Sequence, residues 1–151
     1  MIAFRRVVTP IYTHTLRLPD ATQGQQAGQE LATLPDGRTI VALFEGFTLP
    51  TDQPDEIAAS IEVLPAVLPD ALKAQIKAAS PTVNLIGARM LQKIRDAYSA
   101  EDEAYFARIG VGAALGAYTF GAGEQAELLA FGAFVEAVRQ WGRVERAKLG
   151  L

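Results

Sequence analysis

The chain has 151 residues and half of them are apolar, enough to build a core in one domain or two very small ones. A net charge of −3 argues against a general nucleic-acid binder, and the absence of cysteine removes disulfide frameworks, zinc ribbons and thiol chemistry. Ten of the 14 basic residues are arginine, whose planar guanidinium suits protein interfaces.

Met1-Ile2-Ala3-Phe4-Arg5-Arg6 lacks the basic-then-apolar order of a secretory signal, and glycine interrupts the longest apolar run, 109–120. The expectation is therefore a protein made in a cytoplasm, with no membrane partner. Residues 5–18 are rich in β-branched and aromatic types. From Tyr12 to Leu18 they alternate, with Tyr12, His14, Leu16 and Leu18 on one face, which predicts a strand whose start Pro10 confines to an edge or a kink. Residues 19–28 are polar and predict a loop.

Pro35-Asp36-Gly37 separates Leu31–Leu34 from Arg38–Phe44. Asp-Gly offers the positive φ of a tight turn and proline presets its start, so a hairpin is expected. The second arm is apolar on both faces, so both faces should be covered. Residues 48–56 read as a proline-bearing linker, and Ile57–Leu64 fit either a strand or a helical turn.

Helix starts follow. Pro69-Asp70 opens one and Ser80-Pro81 the next, with Val83, Ile86, Met90, Ile94 and Tyr98 on one stripe. Ser99 with Asp102 resembles a capping box and starts a short helix to about Arg108. The last helix should span about Glu124–Lys148, with Leu128, Phe131, Phe134 or Val135, Val138 and Trp141 on a stripe and Gly150 at its C-terminal end. Between them, residues 110–123 are apolar yet glycine-rich. Backbone entropy opposes regular structure there while water opposes exposure, which predicts an irregular segment packed against a partner.

The fold class expected is thus α+β: a β-rich part over residues 1–64 (a hairpin plus one or two strands), then a helical part over 65–151 with three to four helices. The sheet is too small to stand unpaired, which favours oligomerisation.

No constellation carries chemistry. Gly110, Gly112 and Gly116 miss the dinucleotide spacing by one place, and no Gly-Lys-Ser/Thr follows. A lone His14 without cysteine is a poor start for a zinc site. Glu101, Asp102 and Glu103 diverge around a helix axis and suit its first turn, and Asp52, Asp55 and Glu56 lack a calcium-loop pattern. No serine sits in a nucleophile-elbow setting. No catalytic, cofactor-binding or metal residue is expected, and the protein is expected not to be an enzyme. The candidate functional residues are interface residues on the last helix: Phe131, Phe134, Val138, Arg139, Trp141, Arg143 and Arg146, a mixture of aromatic and arginine types common at binding hot spots.

The second half carries a resemblance. Ala79-Ser80-Pro81 with Val83 and Leu85-Ile86, then Arg95 with Tyr98-Ser99 and Glu101-Asp102-Glu103, then Trp141-Gly142-Arg143 with Glu145 and Leu149-Gly150-Leu151, occur in this order. Together, over about residues 70–151, they resemble the C-terminal helical segment of small proteins encoded among the tail-fibre and baseplate genes of tailed bacteriophages. The stretch 109–123 departs from such relatives, where it is expected to be shorter and more polar. The resemblance implies a structural tail component of the virion, partnered by other fibre or baseplate subunits and by copies of itself, with a trimer as the common state among fibres. The alternative it implies is a tail-fibre assembly chaperone that leaves the finished particle. Neither role calls for a cofactor.

Overall fold

The computed structural model describes residues 1–11, 13–20 and 26–151. It is an α+β structure in two compact units, residues 1–84 with 147–151, and residues 85–146.

The first unit is built on a four-stranded antiparallel sheet in the order β4 (Gly28–Thr33), β5 (Arg38–Leu43), β1 (Ile2–Arg5), β6 (Glu62–Val63). The expected hairpin is β4–β5. The Leu34 amide donates to Arg38 O at 2.8 Å, and Gly37, at φ 80°, donates to Leu34 O at 2.9 Å. This is a turn closed by a left-handed glycine, the three-residue hairpin connection that Asp-Gly favours. β4 starts three residues before the expected Leu31. Gly28 permits this, because a Cβ there would lie 2.7 Å from Ala42 O.

β5 is an inner strand, and Thr39, Ile40, Val41 and Ala42 are all buried, so both of its faces are covered as its sequence requires. Ile2 pairs with Val41 and shares its face; with Phe4, Leu16 and Ile57 these side chains form one core cluster. Ala3, Ile40 and Ala32 share the opposite face. Each fully buried Ile or Phe contributes roughly 1.5–3 kcal/mol through area removed from water. α2 (Asp70–Ala79) lies against β4. Gln29 of β4 donates to the Thr82 hydroxyl at 2.7 Å, which ties in the first turn of α3 (Pro81–Ala97). All strands precede residue 64, but these contacts carry the first compact unit on to residue 84.

The strand expected over residues 5–18 is broken into shorter pieces. β1 begins earlier, at Ile2, and ends at Arg5, whose amide donates to Ser60 Oγ at 3.0 Å. β2 (Val7–Val8) then pairs with β3 (Thr13–His14) around Pro10. Residues 15–20 form no strand, and at Arg17 a side chain takes the place of a strand partner: Arg17 N–H donates to Gln53 Oε1 and Gln53 Nε2 to Arg17 O, both at 2.9 Å. Leu16 and Leu18 still pack on the core, as the alternation required. Tyr12 and residues 21–25 of the expected loop lie outside the described residues. The ambiguous run 57–64 supplies both alternatives: α1 (Asp55–Ala58) ends in it, and β6 follows.

The second unit holds α3 from Leu85 onward, α4 (Ala100–Ala114) and α5 (Glu124–Lys148) as far as Arg146. The predicted α3 stripe is the shielded side of that helix, and α5 spans the residues expected of it. α4 overruns its expected end at Arg108 and takes in Gly110 and Gly112, so the irregular segment predicted over 110–123 is corrected over 110–114, while 115–123 forms no helix or strand. Tertiary packing outweighs glycine's roughly 1 kcal/mol propensity cost. Gly110 packs on Leu128, where a Cβ would make ordinary contact, whereas a Cβ on Gly112 would sit 2.9 Å from Tyr118 Cβ. Among the described residues, no helix is long and apolar enough to cross a membrane.

Candidate interface on a helical hairpin

Side-chain pairs across the second unit run in opposite chain directions. Met90 and Lys93 of α3 meet Gly142 and Trp141 of α5; Tyr98 meets Phe134 and Phe131; Phe106 of α4 meets Phe131; Gly110 meets Leu128. α3 and α4 therefore follow one another along α5 as a single broken leg, and the unit is a long antiparallel hairpin.

The break between α3 and α4 is built into the sequence. Ser99 Oγ accepts the Asp102 amide at 3.1 Å, and the Asp102 carboxylate accepts the Ser99 amide at 2.8 Å: a complete capping box. The Ser99 hydroxyl also donates to Asp102 Oδ2 at 2.7 Å, and this bond, then the one from the Ser99 amide, holds the Asp102 carboxyl below its usual pKa. Arg95 Nε and Glu103 Oε1, 3.6 Å apart, span the break as an ion pair. Inside the corner the Tyr98, Phe106 and Phe131 rings pack at centroid distances of 5.0–6.1 Å, edge-on except for the stacked Phe106–Phe131 pair. Such geometries add about 0.5–1.5 kcal/mol each beyond area burial.

At the end of α4, Gly116 (φ 70°) donates to Ala113 O at 3.0 Å, and the Ala117 amide to Gly112 O at 2.8 Å. This is a Schellman motif. The returning loop is clasped by Glu124. Its carboxylate accepts from the hydroxyls of Tyr105 and Tyr118 (2.9 Å for the latter) and from the Gly121 amide at 2.6 Å. Donation from Tyr105, then from Gly121 and Tyr118, lowers the Glu124 pKa; the same carboxylate raises both tyrosines.

The expected interface residues divide into two sets. Phe131, Phe134 and Val138 lie within the hairpin and face α3 and α4; Val138 is only 6% exposed. Trp141 is half-buried under the Lys93 ammonium, 5.0 Å from its ring centroid, a cation–π contact. Arg139, Arg143 and Arg146 flank the C-terminal half of α5. Arg143 Nη1 pairs with Glu136 Oε1 at 2.6 Å, Arg139 lies 4.0 Å from Glu136, and Arg146 Nη1 lies 3.7 Å from Met90 Sδ. Arg143 and then Arg139 lower the Glu136 pKa.

The dismissed groups sit as follows. His14 lies 3.4 Å from Glu56 Oε2, and Asp52 pairs with Arg17 at 2.8 Å. Glu101, Asp102 and Glu103 form the first turn of α4. Among the described residues no three His, Asp or Glu side chains gather as metal ligands would.

Sequence reasoning missed the outer face of α4. Ala104, Ala107, Val111, Ala114 and Leu115 fall on one exposed stripe opposite buried Phe106 and Ile109, with Val111 60% and Leu115 77% exposed. The signal was present: the three-to-four spacing runs past Arg108, but the glycines beside it argued for an earlier stop. α4 is apolar on both sides, the pattern of a helix covered on both sides. The hairpin as a whole buries only four apolar side chains, Ile86, Phe106, Ile109 and Val138, whereas the first unit buries most of the core. No family model, curated protein or solved structure matches this chain.

Proposed function

We propose that this chain is an assembly subunit of a bacteriophage tail, in the fibre or the baseplate, that joins neighbouring tail proteins and copies of itself through its helical hairpin. The observation that carries the assembly role is the outward apolar stripe of α4, from Ala104 to Leu115, on a hairpin with few buried side chains of its own. The phage setting rests on the ordered resemblance over residues 70–151, from Ala79-Ser80-Pro81 to Leu149-Gly150-Leu151. In this role the strand-rich unit supplies a compact anchor, and the hairpin supplies contact area.

Mass spectrometry of purified particles from the encoding phage or prophage tests the reading. The chain is expected in the particle at a stoichiometry matching other tail proteins. Its presence in lysates and absence from particles would replace this reading with that of a tail-fibre assembly chaperone.

A further inference from the structure

Charge is segregated along the hairpin. The half made of α4 and the start of α5 (residues 100–130) carries Glu101, Asp102, Glu103, Glu124 and Glu127 against Arg108 alone. In the half made of α3 from Leu85 and the rest of α5 (131–146), six basic residues, among them Arg89, Lys93, Arg139 and Arg143, face three acids.

Each half also exposes large apolar side chains. Val111, Leu115 and Leu129 stand out from the acidic half; Leu91 (49%) and Val144 (44%) stand out from the basic half. Exposed apolar surface in a net-acidic half matches exposed apolar surface in a net-basic half, and here both belong to one chain.

We infer that a second copy of this chain is the partner of the hairpin, in an antiparallel two-fold arrangement that sets the acidic half of each copy against the basic half of the other. The two hairpins then pack with the α4 stripe of each covered by the basic half of the other, which closes the apolar face left open on each hairpin. A two-fold axis is self-complementary, so every Glu-to-Arg apposition occurs twice. A parallel pairing would instead bring five carboxylates against five and repel. This deepens the assembly reading by naming the surface and its occupant, and it does not depend on the phage setting.

Sedimentation equilibrium of the full chain tests it. A dimer is expected at tens of micromolar in low salt, and raising the salt to 0.5 M should weaken it several-fold, because flanking charges are screened. Leu115→Lys with Val111→Lys, both at exposed positions, should weaken it at least tenfold with helicity unchanged. Because the chain has no cysteine, Glu127→Cys and Arg143→Cys report geometry cleanly: the two variants mixed should cross-link to each other, and neither to itself. A monomer throughout this range, a trimer, or preferential self-cross-linking of either variant would overturn the inference. If the pairing fails while the chain is found in particles, the tail reading survives; if pairing holds and the chain is absent from particles, the converse is true.

Discussion

Gly142 on α5 yields its side-chain space to Met90 on α3: a Cβ at Gly142 would fall inside the Met90 thioether. The Trp-Gly-Arg block thus has a packing reason for its central residue, because a side chain there would collide with Met90.

Substituting Gly142→Ala should therefore destabilise the hairpin. Overpacking costs about 1–3 kcal/mol and the better helix propensity of alanine returns about 1 kcal/mol, leaving a net loss of about 1 kcal/mol. In a double-mutant cycle read by denaturant unfolding, Met90→Ala combined with Gly142→Ala should be no less stable than Met90→Ala alone, since the cavity accepts the new methyl. Simple additivity would show that the thioether is not what Gly142 accommodates.

The Glu124 clasp sets a pH window for the 115–123 loop. Glu124 has a lowered folded pKa, so its contribution is present above the unfolded value of about 4.5 and is lost as pH falls through the folded one. Tyr105 and Tyr118 have raised values, so theirs is present below about pH 10 and is lost as pH rises through the folded values. In an ultraviolet titration two of the four tyrosines should ionise late, and Glu124→Gln should return both towards pH 10. Unchanged tyrosine titration in that variant would remove the clasp.

Ser99→Ala removes one arm of the capping box and should cost about 1 kcal/mol. It should also raise the Asp102 pKa, because the Ser99 hydroxyl is the larger cause of its depression. Carbonyl NMR of Asp102 across pH 2–6 would show the shift; an unmoved midpoint would contradict the assigned bonds.

Gly37→Ala places a Cβ at φ 80°, which costs about 1–2 kcal/mol for an L-residue. The loss should fall on the sheet unit, lowering amide-exchange protection in β4 and β5 while leaving α4 unchanged. Equal loss across both units would mean that they unfold as one.

Much of the fold was legible where local chemistry decides it. Asp36-Gly37, Pro69-Asp70, Ser80-Pro81 and the Ser99/Asp102 box each name a turn or a helix start through a specific backbone need, and the structure has all four. Reading failed where a distant residue settles the matter. Nothing near Arg17 announces that Gln53, 36 positions away, replaces a strand partner. Nothing near Gly112 announces that Tyr118 will use its empty space. The candidate interface was half legible for the same reason. Its arginines were visible as a cluster, but Phe131 and Phe134 look alike on a sequence stripe whether they face another chain or, as here, Tyr98.

The composition of the first unit has a consequence for synthesis. β1 is an inner strand that needs β5 on one side and β6 on the other, and the unit also takes in residues 147–151, with Leu149 buried. The sheet unit is therefore completed only after residues 85–146 have been synthesised, and deleting residues 147–151 would strike the sheet rather than the hairpin.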